Sequence, residues 1–230
     1  LKGKLEKFYR DKKKKNRQGE GIWEQFLEHY DPRKYETPSC TTDAVIFSIT
    51  GELLEVNQLK VLLVEGAIIQ ASGSGAAGGF AEMRENLEDT ARRELEEETG
   101  VKDLPLEQFA VYGDYDRDPR TRVITTAYLS LVNEQDITVR AGMIGGRGMV
   151  QPLLKEKEVH TGEVSRKVWQ LHVSNEEKGL DTRAEVEEHA GKLIRERKFQ
   201  VLTGGEIAVD HAAIIVQAMC ILADRLLEKR

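Results

Sequence analysis

Two rhythms of hydrophobic and polar positions run through this chain, and they predict its elements. "TTDAVIFSIT" (41–50) and "KVLLVEGAII" (60–69) are rich in Val and Ile with a polar turn region between them, which predicts two strands. The Gly/Ser/Ala stretch "ASGSGAAGG" (71–79) breaks the second run. A helix is predicted within "GGFAEMRENLEDTARRELEEETGV" (78–101), where Leu87, Ala91 and Leu95 recur at helical spacing. Further strands are expected at 109–115 and in "RVITTAYLSLV" (122–132), followed by a Gly-rich loop, "AGMIGGRG" (141–148). A strand in "RKVWQLHVS" (166–174), a polar helix near 183–197, a short strand "FQVL" (199–202) and a final helix from Asp210 to Leu227 complete the reading.

Upstream, "GIWEQFLEHY" (21–30) places Ile22, Phe26, Leu27 and Tyr30 at helical spacing, and "DPRKYETPS" (31–39) reads as an irregular linker. The expected organisation is a basic segment with a helix over 1–37 and a globular domain over 38–230. Irregular alternation of strands and helices favours a mixed α/β or α+β sandwich over a bundle or an all-β barrel. The final helix carries Ile214, Ile215, Val216, Met219, Ile221, Leu222 and Leu226 around most of its circumference, the pattern of a helix buried in the core or in a subunit interface.

The helix after the Gly-rich break is dense in acids, and their directions differ. Relative to Leu87, Ala91 lies at about 40° and Leu95 at about 80°, which sets the inward stripe. Glu96 at about 180° and Asp89 at about 200° face water. Glu94 at about −20° and Glu98 at about +20° straddle the inward direction, and Glu97 flanks them at about −80°. A carboxylate turned toward the protein body needs a cation, a pair or a proton. Oxygen-only donors on one face suit Mg²⁺ or Mn²⁺. Arg93, one turn from Glu97, suits a structural ion-pair network instead. Direction alone leaves both readings open.

Composition narrows the partners. With 40% hydrophobic residues, 32% charged residues and a formal net charge of −6, this is an ordinary globular composition, and nucleic acid is not an expected partner. Only the start is strongly basic, including "DKKKK" (11–15), which reads as a solvated end. Cys40 and Cys220 lack metal-ligand spacing and imply no disulfide framework, which suits a reducing cytoplasm. No apolar run is long enough for a membrane span, and no signal peptide is evident. The histidines show no ligand spacing; His172 reads as a packed or edge residue and His211 as part of a helix start.

From Gly79 the chain reads Gly79, Glu85, Arg93-Glu94-Leu95, Glu97-Glu98 and Gly100-Val101, matching G-x5-E-x7-R-E-U-x-E-E-x-G-U without a gap, where U is aliphatic. Its seven fixed positions coincide by accident with a probability on the order of 10⁻⁸ per starting point. This resembles the signature of the Nudix hydrolases. The resemblance covers about residues 40–150 and implies an α/β/α sandwich around a mixed β-sheet, with the motif as a loop-helix-loop. It also implies cleavage of a nucleoside diphosphate linked to another moiety, by water attack on phosphorus with Mg²⁺ or Mn²⁺. Carried over residue by residue, Glu94, Glu97 and Glu98 are the expected metal carboxylates, Gly79 offers a carbonyl, and Arg93 and Glu85 support them.

"YGDYDRDPRTRVITTAYLSLV" (112–132), with its D-P-R element, and "EIAVDHAAII" (206–215) resemble the ADP-ribose pyrophosphatase-like branch. Arg117, Arg120 and Arg122 suit phosphate or ribose oxygens, and Phe80 beside the motif glycine is a further expected substrate contact. The approach "GSGAAGG" lacks the Trp and Pro usual in that branch, and "AGMIGGRGMV" replaces a more acidic, aromatic-ending segment. Related enzymes can take a general base from a later loop, for which Glu134, Glu156, Glu158 and Glu163 all qualify. The leading expectation is a Mg²⁺-dependent hydrolase of ADP-ribose, giving AMP and ribose 5-phosphate. Its alternatives are an ADP-ribose sensor or regulator, and a hydrolase of NADH, a dinucleoside polyphosphate or an oxidised nucleotide. Intact carboxylates and the lack of a basic recognition helix favour catalysis. A homodimer packed through Trp23 and Phe26 is also expected.

Overall fold

β1 (Ser39–Ile49) is the strand around which the sheet is organised. In the computed structural model, which describes residues 26–65, 74–100, 102–134, 148–160, 164–176, 179–191 and 196–229, it is buried from Thr41 to Ile49. Successive side chains of a strand point to opposite faces, so a run buried on both faces loses its alternation. Val45, Phe47 and Ile49 enter one core, while Ala44 and Ile46 enter another. The unbroken "AVIFSI" is the sequence trace of that double burial.

β1 pairs in parallel with β6 (Val123–Asn133), from Ser39 opposite Val123 to Ile49 opposite Asn133. β2 (Lys60–Glu65) and β4 (Ala77–Phe80) pair antiparallel with β1, and the short β3 (Ser74–Gly75) pairs with β2. β5 (Glu107–Tyr112) lies outside β6. On the other side, β7 (Gly148–His160) continues from β2 into an antiparallel meander with β8 (Val164–Asn175), β9 (Leu180–Gly191) and β10 (Arg197–Thr203). The path is therefore β10-β9-β8-β7-β2-β1-β6-β5 in one mixed sheet. Helix α1 (Leu87–Thr99) covers the Ala44 and Ile46 face through Ala91 and Leu95, and helix α2 (His211–Glu228) covers the Val45 and Phe47 face. The fold is α+β, a mixed sheet flanked by helices, as expected.

The apolar stripe of α2 is core: Ala212 to Val216, Ala218 to Cys220 and Leu222 are all buried. The polar helix expected near 183–197 is corrected to strand β9 and the start of β10. Glu, Arg and Ala favour helix as isolated residues, but Leu180, Thr182, Ala184, Val186 and Glu188 are buried at every second position. That period of two is what the sheet used. Glu188 is tolerated inside because Arg197 Nε (2.6 Å) and Trp169 Nε1 (2.7 Å) donate to it. Strand β7 was not foreseen.

The chain divides into two units, Leu1–Thr37 and Pro38–Arg230. In the first, residues 26–29 form a helical turn and Pro32–Lys34 a single 3₁₀ turn, begun by Asp31 Oδ1 accepting the Arg33 amide at 2.9 Å. The expectations placed on "DKKKK", Trp23, most of the "AGMIGGRG" loop, Val101 and Glu163 fall outside the described residues. No helix among the described residues is long and apolar enough to cross a membrane.

Candidate functional site

Helix α1 presents its acids as the wheel requires. Acids in its first turn, Glu88 and Asp89, suit the positive end of the helix dipole, and the helix ends at Gly100 in the left-handed region (φ 70°). Ala91 and Leu95 are buried, Glu96 and Asp89 are exposed, and the Glu94 side chain is only 15% exposed. Glu98 is partly buried and accepts the Gly78 amide at 3.0 Å, while Glu97 lies outward at 59% exposure.

Arg93 ties this face together. Its Nε and Nη2 donate to the two oxygens of Glu85 at 2.9 and 3.0 Å, its Nη1 to Glu94 at 2.6 Å and Glu97 at 3.2 Å, and its Nη2 to the Phe80 carbonyl at 3.1 Å. The fork geometry of guanidinium makes this possible, where a lysine ammonium would lack the planar pair of donors. Arg93, with help from the Thr90 hydroxyl, holds the Glu85 carboxyl down to about 2. Glu98 moves the other way: burial pushes it up to about 7, the Gly78 amide partly opposes this, and the charges of Glu94, Asp43 and Glu97 add to it.

The approach of the chain to α1 is tight. A Cβ on Gly79 would sit 2.2 to 2.4 Å from the Glu94 carboxyl atoms, a distance no side chain accepts. Next to it lies a cavity of about 540 Å³ lined by Asp43, Glu94, Glu98, Arg117, Arg120 and His211 among others. The structure thus brings Gly79, Phe80, Arg93, Glu94, Glu98, Arg117 and Arg120 to one cavity. Glu85 supports it through Arg93, while Glu97 and Arg122 are not among its lining residues. Arg122 instead donates to the Gly113 carbonyl at 2.8 Å.

The two arginines of the cavity are differently committed. Arg117, 6% exposed, forms a fork with Asp210 (2.7 Å at both oxygens) and lies 3.7 Å from Asp43. Burial works against its charge, but Asp210 outweighs that and leaves its pKa above the ordinary value. Arg120 pairs with Asp118 and stacks over the Phe80 ring at 5.5 Å. Arg120 holds the Asp118 carboxyl below its usual range.

Sequence reasoning missed Asp43, Asp118 and the part played by His211. His211 is the first residue of α2, as a helix start requires, but its Nδ1 also accepts the Ala76 amide at 3.0 Å and its Nε2 lies 3.6 Å from Asp43 Oδ1. The one available signal for Asp43 was a lone acid inside an otherwise uncharged strand run. Of the base candidates, Glu134 is bonded to Lys60 and Thr50 (2.5 Å each) and Glu156 to Lys167 (3.1 Å), and neither lines the cavity. Glu158 and Glu163 are not described at side-chain level. His172 pairs with Asp181 at 2.8 Å on the meander.

The donor set fits a hard divalent cation. Glu94 and Glu98 are inward carboxylates beside a third, Asp43, and their repulsion adds to the burial that raises Glu98. Gly79 lets the backbone come against Glu94. Among the described residues, no three His, Cys, Asp or Glu side chains are gathered as a ready metal cluster.

The NUDIX domain family matches residues 44–146. An ADPR-responsive transcriptional repressor of Acinetobacter baylyi is 36% identical over 111 residues, covering 47% of this chain and 42% of that protein. An ADP-ribose pyrophosphatase of Methanocaldococcus jannaschii is 32% identical over 98 residues, covering 42% of this chain and 53% of that protein. The chain thus spans about half the length of these curated relatives. A MutT/nudix family protein from Enterococcus faecalis shares the fold, with a TM-score of 0.60 at 24% identity over 93% of this chain and 74% of that one.

Proposed function

The chain belongs to the Nudix superfamily, and from that premise we propose that it hydrolyses ADP-ribose to AMP and ribose 5-phosphate. The observation that carries this reading is the meeting of inward Glu94 and Glu98, the Arg93 clamp and a stacked Phe80–Arg120 pair in one cavity. The carboxylates suit a cation on a pyrophosphate, and the nearby aromatic face suits a base.

Glu94, Glu98 and the Gly79 carbonyl, with Glu97 from the outer side, would hold Mg²⁺ or Mn²⁺. A cation bound there supplies charge neutralisation on the phosphate oxygens and a more acidic attacking water. Arg93 keeps Glu94 in place and, through Glu85, anchors the loop before the helix. Arg120, oriented by Asp118, faces the cavity with donors left for a phosphate or ribose oxygen. Phe80, 46% exposed, offers a ring face on which a purine can stack. Arg117 acts through Asp43 and Asp210, since its fork is already filled. ADP-ribose is placed first because one relative is named for cleaving it and another for responding to it.

The second of these relatives favours another reading, a domain that binds ADP-ribose and regulates without cleaving it. The test is a panel of ADP-ribose, NADH, a diadenosine polyphosphate and 8-oxo-dGTP, incubated with and without Mg²⁺ and compared with Glu97→Gln. Cleavage of ADP-ribose to AMP only with Mg²⁺, lost in the variant, is expected. ADP-ribose left intact while it raises the melting temperature would move the regulatory reading ahead. Cleavage of another member alone would replace the substrate.

A further inference from the structure

Ala76 occupies the point where the chain changes partners. β3 before it pairs with β2, from Val64 opposite Gly75, and β4 after it pairs with β1, from Ala44 opposite Ala77. Ala76 belongs to neither ladder and is 4% exposed, so its amide has neither a strand partner nor free access to water. A buried amide in that position needs an acceptor. The acceptor is His211 Nδ1, at 3.0 Å, from the first residue of α2.

Accepting at Nδ1 fixes the proton of a neutral imidazole on Nε2, the nitrogen that faces Asp43 Oδ1 at 3.6 Å. Asp43 in turn packs against the next part of the same loop: a Cβ on Gly78 would lie 2.6 Å from Asp43 Oδ1. His211 therefore meets the loop at Ala76 directly and borders the residue that walls it at Gly78. One residue later comes Gly79, where the clearance to Glu94 leaves no slack. The neighbouring Asp210 is held by the Arg117 fork, which anchors the start of α2 from the other side.

We propose that His211, which lies beyond the matched NUDIX stretch, is a positioning residue of the site: it holds the Ala76–Gly79 segment, where β3 passes into β4, so that Gly78 meets Glu98 and Gly79 meets Glu94. The claim rests on the hydrolase reading only for its effect on turnover. Its effects on the loop and on cation binding stand apart from it.

The test compares His211→Leu, which fills the space without an acceptor, with His211→Asn, whose side-chain oxygen can accept the same amide. Hydrogen exchange at the Ala76 amide, Mn²⁺ affinity by electron paramagnetic resonance, and kcat and KM on ADP-ribose are read on the full chain. In the Leu variant, exchange at Ala76 is expected to rise, Mn²⁺ affinity to fall by about tenfold or more, and kcat to fall with KM little changed. His211→Asn should recover most of each. Wild-type protection and Mn²⁺ affinity in the Leu variant would overturn the proposal, and so would an Asn variant no better than Leu. Should the Leu variant fail to fold, His211→Gln, whose amide sits one bond further out, takes its place in the same contrast. If the wild type cleaves nothing, the hydrolase reading fails while exchange and Mn²⁺ binding still judge His211. A wild type that binds no Mn²⁺ overturns both.

Discussion

Charge balance governs the site at the level of single residues. Arg93 reaches Glu85, Glu94 and Glu97, and Arg117 reaches Asp210 and Asp43, yet among the described residues Glu98 has the Gly78 amide as its hydrogen-bond donor and no cationic side chain. The proposed divalent cation would answer that residual imbalance. Steric tolerance is also close at Gly79. Gly79→Ala puts a methyl carbon into the Glu94 carboxylate, and the expected outcome is a loss of turnover of about tenfold to a hundredfold with little change in melting temperature. Steady-state kinetics beside a thermal melt checks it; an Ala variant at wild-type rate would show that the close approach is not needed. The carboxylates and Arg93 were legible in the sequence because they sit within one helix, where spacing fixes direction. Asp43, Arg117, Asp210 and His211 were not legible as a group, because they meet only when β1, the loop before β6 and α2 assemble.

At the scale of elements, α1 is both a structural and a chemical part. Leu95, 2% exposed, packs with Ala44, Ile46, Leu62 and Tyr128, and this anchorage sets the direction in which Glu94 and Glu98 point. Leu95→Ala is expected to cost about 2 to 5 kcal/mol through lost burial and a residual cavity, measured by urea denaturation. A cost below about 0.5 kcal/mol, the range of ordinary surface changes, would mean the helix is held by something else. α1 was readable because its apolar stripe, acidic first turn and terminal glycine agree. β9 was not, because residues with high helix propensity occupy its exposed positions, while the deciding signal is the alternation from Leu180 to Glu188. Tertiary pairing between β8 and β10 overrode propensity there.

Across the whole molecule, the sheet joins two halves with different relations to the site. β1, β2, β4, β6 and α1 carry the acids and the glycine loop, and the meander β7 to β10 extends the sheet that α2 crosses. The start of α2 then returns His211 to the cavity, with the preceding Asp210 bonded to Arg117, so residues beyond the matched NUDIX stretch contribute to it. The mixed α+β architecture followed from the order of strands and helices. The long β7 and the return of α2 did not, since neither leaves a local pattern that names its partner.

Metal-dependent hydrolysis at the Glu94 and Glu98 face is the proposed activity. The most direct measurement is the rate of AMP release from ADP-ribose as Mg²⁺ is titrated into EDTA-stripped protein, for the wild type and for Glu98→Gln. The expected result is no release without Mg²⁺, saturable release with it, and a rate at least about a hundredfold lower in Glu98→Gln, the upper range for loss of a metal-site partner. Full activity in EDTA, or a Glu98→Gln protein working at the wild-type rate, would contradict it.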